Sequence, residues 1–139
     1  MGAGGDVLSA IVPTLDEAAV VGPLVRRLRE EADEVIVADG GSGDDTVARA
    51  AAAGARTVVA SGGRGPQLDA GAAVAGGAIL WFVHADSRVP HGIGRSIQRA
   101  ARDAGWGCCA VTIDPTRPLL RWTALVMNQR ARHTGSATG

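Results

Sequence analysis

Short runs of β-branched and apolar residues alternate along this chain with segments of helical period, and that alternation restricts the fold more than any other feature. The runs are Asp6–Val12, Glu34–Ala38, Arg56–Ala60, Ala78–His84 and Cys109–Ile113. Each reads as a short buried strand, and Pro13, which cannot continue a central ladder, is expected to end the first. Between the runs, Ala18–Glu31 sets Val21, Leu24, Val25 and Leu28 on one stripe and Arg26, Arg27, Arg29 and Glu30 on the other. Asp44 or Asp45 can cap a helix that runs to Ala53 and stops at Gly54. Pro66 suits the first turn of a helix reaching Val74, and a further helix is expected from Gly92 or Ile93 to Ala104. Strands separated by helices imply βαβ units, hence an α/β, Rossmann-like three-layer α/β/α fold with a mostly parallel sheet.

Composition bounds the function. The 139 residues are 46% hydrophobic and 20% charged, enough apolar material for one core. Fourteen Lys and Arg balance fourteen Asp and Glu, so the positive field that gathers phosphate backbones is missing, and nucleic acid is excluded as the main partner. With one Phe, three Trp and no Tyr, there is no set of aromatic platforms for unpaired bases. Every basic side chain apart from the His is Arg, which removes both the lysine-dependent phosphate loop and any Schiff-base mechanism. The apolar stretch Val7–Val12 has no basic region before it and is too short for a signal peptide or a span. No transmembrane segment is therefore expected in the chain, and the expected location is cytoplasmic, free or peripheral to a membrane. Cys108 and Cys109 are adjacent, so a bridge between them would be strained, and they are expected to be small buried residues of a reducing compartment.

The last stretch differs. Leu119–Met127 is apolar with Arg121 inside it, and Arg130, Arg132 and His133 follow, the pattern of an amphipathic helix with a basic end. Residues 134–139 neither cap that helix nor open a new element, so the expectation is a chain cut short at its C-terminus. The expected organisation is a binding domain over residues 1–116 and, over 117–139, the amphipathic helix and the start of a second region.

In open parallel sheets ligands bind outside the carboxyl ends of the strands, so the residues after each strand carry the chemistry. After the first come Pro13, Thr14, Leu15, Asp16 and Glu17; after the second, Asp39, Gly40, Gly41, Ser42, Gly43, Asp44, Asp45 and Thr46. Ser61, Gly62, Gly63, Arg64 and Gly65 follow the third, and His84, Ala85, Asp86, Ser87 and Arg88 the fourth. Glycines allow close approach of backbone amides to a diphosphate, but here they follow the second strand, where a dinucleotide fingerprint needs them after the first. Asp39 followed by Gly40 also suits an ordinary turn. His84 and Asp86 sit at alternate positions of a strand end, pointing to one side as ligands of a divalent ion would, or else form a surface turn ahead of Pro90.

Taken together, Pro13-Thr14-Leu15-Asp16-Glu17, Val35-Ile36-Val37-Ala38-Asp39-Gly40-Gly41-Ser42 with Asp44 and Thr46, and Leu80 to Pro90 with His84-Ala85-Asp86 resemble family 2 glycosyltransferases. Gly65–Gly71 and Thr134–Gly139 add a likeness to the bacterial subgroup encoded beside radical-SAM and selenium-related proteins. The resemblance implies the GT-A fold of nucleotide-diphospho-sugar transferases, incomplete at the C-terminus, with residues 1–116 binding the donor and 117–139 beginning the acceptor side. It implies that Asp39 accepts a hydrogen bond from the base, usually uracil, with Gly40, Gly41 and Ser42 beside it, while Pro13, Thr14 and Glu17 line base and ribose. Arg64 would face base or diphosphate and pair with phosphate oxygens. Asp86, next to Ala85, would match the last acid of the Asp-x-Asp motif that holds Mn²⁺ or Mg²⁺; His84 stands where the family has Asp and is a second candidate ligand. The implied reaction is an inverting, metal-assisted transfer of a sugar from a nucleotide-diphosphate donor, a UDP-sugar by preference, to an acceptor hydroxyl. In the family the general base follows the Thr-Gly-x-x-Thr-Gly segment, so it is expected beyond Gly139. The alternative is a truncated, non-catalytic fragment that at most binds nucleotide and metal.

Overall fold

A computed structural model describes residues 6–110 and 128–129. Two compact units divide the chain, Met1–Ala100 and Ala101–Gly139. The first holds a sheet of four parallel strands, β1 (Leu8–Thr14), β2 (Glu34–Asp39), β3 (Arg56–Val59) and β4 (Ile79–Phe82), in the order β3-β2-β1-β4. Helices α1 (Val21–Leu28), α2 (Thr46–Ala52) and α3 (Arg64–Val74) connect successive strands, and α4 (Ile93–Ala101) follows β4.

Residue alternation assigns the layers. Ala10, Val12, Val35 and Val37 face one side of the sheet, where they pack with Val21, Leu24, Val25 and Leu28 of α1 and with Ala50 of α2. The opposite side carries Ile11 and Ala38, and α3 lies so close to them that a Cβ on Gly71 would stand 2.5 Å from Ile11 Cγ2. The central strands are thus buried on both faces, which explains their near-continuous apolar runs. Both α1 and α2 carry the chain outward in one direction, whereas α3 returns it past β2 and β1 to β4. Right-handed crossovers require α3 to take the other face, and the result is the expected three-layer α/β/α arrangement.

The first strand does not end at Pro13: it runs through it to Thr14, and Pro13 is paired in register with Ala38. The reason is its side of the ladder. Ile11 accepts from the Val83 N–H, so Ile11 and Pro13, two residues on, turn their backbone groups toward β4, whose pairing with β1 stops at Ile11. At that position the missing N–H leaves no partner unbonded.

Other boundaries move less. Residues 18–20 form a turn and α1 opens at Val21; α3 opens at Arg64, with Pro66 in its first turn. Gly54 follows α2 with φ of 100°, as a helix-ending glycine does. His84 lies outside β4, in a turn where its carbonyl accepts from the Ser87 N–H. Cys108 and Cys109 are exposed free thiols, contrary to the expectation of burial: residues 105–110 carry no helix or strand that would cover them. Of the expected strand at 109–113, residues 109 and 110 are not in a strand and the rest lie outside the described residues, as does the helix expected at Leu119–Met127. Among the described residues no helix is long and apolar enough to cross a membrane.

Candidate functional site

The chain order of the strands breaks between β1 and β4, which is reached from β3 by a crossover, and in open parallel sheets such a break marks the crevice at the carboxyl ends where ligands bind. Pro13–Glu17 flanks that crevice from β1 and His84–Asp86 from β4. Asp39, the last residue of β2, lies beside the first loop.

Asp39 is the organising group. It is 1% exposed, and its carboxylate takes four donors. Oδ1 accepts from Thr14 Oγ1 at 2.9 Å and from Ser42 Oγ at 2.5 Å; Oδ2 accepts from the Gly41 N–H at 2.9 Å and the Ser42 N–H at 2.7 Å. Burial, the largest single influence, disfavours the charged form, but the donors of Ser42, Gly41 and Thr14 outweigh it and hold the carboxyl below its ordinary value. The ion therefore sets the shape of the loop after β2, as a negative group surrounded by N–H and O–H donors does.

That loop is laced to the one after β1. The Asp16 N–H donates to Ser42 Oγ at 2.8 Å, and Asp16 Oδ1 accepts from the Gly43 N–H at 2.8 Å. The Glu17 N–H donates to the buried Thr46 Oγ1 at 2.8 Å, and the Ala18 N–H to Asp44 Oδ2 at 3.2 Å. Asp44 Oδ1 also takes the Thr46 N–H at 2.9 Å and the Thr46 hydroxyl. These bonds, led by the Thr46 hydroxyl, lower the pKa of Asp44. Asp16 holds φ of 54°, the left-handed region that a residue with a short hydrogen-bonding side chain tolerates.

The expected site residues divide into two groups. Thr14, Asp39, Gly40, Gly41 and Ser42 are joined directly, Gly40 through its N–H to Thr14 O at 2.8 Å. Pro13 and Glu17 are half-buried beside them, and the Glu17 carbonyl accepts from the N–H groups of Val20 and Val21 at the start of α1. Arg64, His84 and Asp86 are exposed on the same edge of the sheet, and among the described residues no hydrogen bond or ion pair joins them to the Asp39 cluster. His84 and Asp86 stand in a turn rather than on a strand, yet the alternation survives, because Ala85 between them is 8% exposed and packs into the core.

Divalent ions of the Mg²⁺ and Mn²⁺ kind are often held by one or two carboxylates together with phosphate oxygens. One exposed carboxylate, Asp86, with the His84 imidazole nearby suits that mode and not an all-protein cage. Consistently, no three His, Cys, Asp or Glu side chains gather among the described residues. Two grooves lie at the far edge of the sheet, of about 270 Å³ beside Arg29 and Arg56 and about 460 Å³ beside His91 and Arg95. The first reaches the amino ends of β2 and β3 at Glu34 and Arg56, neither touches the carboxyl ends, and the topology favours the carboxyl edge.

Sequence reading missed Gln67. It is 6% exposed on α3, and its Nε2 donates to Thr14 O at 2.7 Å and to Ala38 O at 2.9 Å. The available signal was its spacing: Gln67 lies four residues before Gly71, a polar group on the stripe that faces the sheet.

Comparison with known proteins agrees with this geometry. The family model described as "Glycosyl transferase family 2" matches residues 9–132. A glucosyl-3-phosphoglycerate synthase from Mycolicibacterium paratuberculosis is 39% identical over 103 residues, 63% of this chain and 30% of that protein. Among solved structures, a mycobacterial protein superposes with a TM-score of 0.57 at 34% identity, covering 66% of this chain and 35% of its own. Glucosyl-3-phosphoglycerate synthase from Mycobacterium tuberculosis, crystallised with Mn²⁺, UDP-glucose and phosphoglyceric acid, gives 0.55 at 33% identity, covering 61% of this chain and 35% of the other. The chain thus spans about a third of the length of these relatives. Two of the three are named as glucosyl-3-phosphoglycerate synthases, which corrects the subgroup suggested by Gly65–Gly71 and Thr134–Gly139: those short Gly-rich segments do not separate one branch from another. The sheet order, the polar loops on its carboxyl edge and the match over residues 9–132 agree, and the chain belongs to glycosyl transferase family 2.

Proposed function

We propose that this chain forms the donor side of a glycosyltransferase that moves a sugar from a nucleoside diphosphate to an acceptor hydroxyl with inversion. The observation that carries the reading is the interlocked pair of loops around Asp39, set beside the topological switch point between β1 and β4. Such a wall is ordered before any ligand arrives, so binding does not have to fix it.

The base and ribose lie against Pro13, Thr14 and Glu17, with Gly40, Gly41 and Ser42 at the floor. Asp39 already has four donors, so it accepts an N–H of the base only when a hydroxyl, of Ser42 or Thr14, turns away from it. A hydroxyl can do so without moving the backbone. Arg64 pairs with diphosphate oxygens, and its planar fork suits them. Asp86, with His84 as second ligand, would hold Mn²⁺ or Mg²⁺, and such an ion would supply Lewis-acid neutralisation of charge on the leaving diphosphate. Ala85 fixes the turn by burying its methyl. No described carboxylate is assigned to take the acceptor proton: Asp103 is exposed on the segment after α4.

The relatives' names make UDP-glucose the first donor to test and 3-phosphoglycerate the first acceptor. Coverage of about a third of those relatives supports a narrower second reading, donor binding without transfer. The test is thermal stabilisation of the chain by UDP and by GDP, each with and without Mn²⁺, alongside Asp86→Ala. Ligand that binds only the folded state raises the midpoint. The proposal expects a rise with UDP that needs Mn²⁺ and is lost in the variant; a cooperative melt unmoved by either nucleotide contradicts it. Release of glucose from UDP-glucose to 3-phosphoglycerate then separates transfer from binding alone.

A further inference from the structure

Gln67 is a buried amide at a position that an apolar side chain would fill. Burying an amide costs free energy unless its groups are bonded, and this one directs its NH₂ to two backbone carbonyls on different strands. Thr14 O is the last carbonyl of β1 before the Leu15–Glu17 loop, and Ala38 O immediately precedes Asp39. The same Thr14 carbonyl accepts from the Gly40 N–H at 2.8 Å, so its two lone pairs serve the loop after β2 and helix α3. On the helix side, Gln67 closes the first turn of α3, its own N–H donating to Gly63 O at 3.2 Å, and Arg64 opens that turn. One amide therefore joins three pieces: the end of β1, the end of β2 and the helix turn that carries Arg64.

We propose that Gln67 is a positioning residue of the donor site, which acts through Arg64 by fixing where that guanidinium stands relative to the loops of Thr14 and Asp39. The inference rests on the donor-site reading above and goes beyond it, since Gln67 is buried with its NH₂ bonded to two backbone carbonyls. A purely structural Gln67 would lower stability and leave the relation between Arg64 and diphosphate unchanged. A positioning Gln67 sets how much Arg64 contributes.

The experiment is a double-mutant cycle on the full chain, with UDP and uridine titrated calorimetrically in the presence of Mn²⁺ into wild type, Gln67→Leu, Arg64→Ala and the double variant. Loss of one charge-assisted contact corresponds to roughly tenfold in affinity. Gln67→Leu is expected to weaken UDP by about that factor and uridine by less than about twofold. In the Arg64→Ala background the same change is expected to have no further effect on UDP. Should Gln67→Leu fail to fold, Gln67→Met replaces it, because it keeps the unbranched length of the side chain and removes only the amide that bonds Thr14 O and Ala38 O. Equal losses for UDP and uridine, or losses that multiply in the double variant, overturn the positioning role and leave the donor site standing. Absence of UDP binding by wild type overturns the donor-site reading and this inference together.

Discussion

Two carboxylates, at opposite edges of the sheet, hold backbone that would otherwise be unsatisfied. Asp39 was legible in the sequence as a group of interest because it ends a strand ahead of glycines. Its four donors were not, because three of them come from the loop it folds and the fourth from Thr14, 25 residues away. Asp39→Asn puts an NH₂ against donors and is expected to cost about 1–3 kcal/mol, measured by urea unfolding. Glu31 does the parallel work below. Its carboxylate accepts from the Gly92 and Gly94 N–H groups at 2.9 and 3.0 Å, at the start of α4, and pairs with Arg27 at 2.6 Å. Burial opposes its ionisation most strongly, but the Gly94, Arg27 and Gly92 bonds together bring its pKa from 4.5 down to about 2. A folded pKa below the unfolded one means that this stabilisation is present above the unfolded value and lost as protons bind. Urea midpoints should therefore fall between pH 4.5 and pH 2, and Glu31→Gln should flatten that fall while lowering stability at neutral pH. An unchanged slope in the variant would assign the acid sensitivity to other groups.

Strands and helices were legible in the sequence where periodicity was strong, and their ends were not where tertiary pairing decides. Pro13 shows why: a proline rule written for a central ladder fails where one neighbouring strand has already stopped, and only the register reveals that β4 ends its pairing at Ile11. Pro13→Ala is accordingly expected to change stability by less than about 1 kcal/mol, since the added N–H meets no blocked partner. A loss of several kcal/mol would mean that the ring itself holds the strand. Helix packing gives the opposite case. A Cβ on Gly94 would lie 1.9 Å from the Glu31 carbonyl oxygen, which is backbone and cannot turn aside. Gly94→Ala should displace α4 and cost about 1–3 kcal/mol or more, with amide exchange rising in α4 before β1. Nothing in local sequence marks Gly94 as a contact point, because its neighbour lies 63 residues away.

At the scale of the molecule, the sequence already contained the alternation that makes a parallel sheet and the four polar segments that follow its strands. What it lacked was the strand order. The order β3-β2-β1-β4 turns four separate loops into one edge with a switch point, and the bonds between the loops of β1 and β2 make part of that edge rigid before ligand binds. Gln67 escaped sequence reading for the same reason, since its two carbonyl partners come from strands that only the fold brings together. In the proposed site this edge, and not the grooves beside Arg29 or His91, receives the nucleotide. Backbone amide chemical shifts of the ¹⁵N-labelled chain titrated with UDP and Mg²⁺ test it most directly. Saturable shifts are expected at residues 14–18, 39–46, 61–65 and 84–88, with residues 29–35 and 91–98 unmoved. Shifts confined to the latter two segments, or none at all, would contradict it.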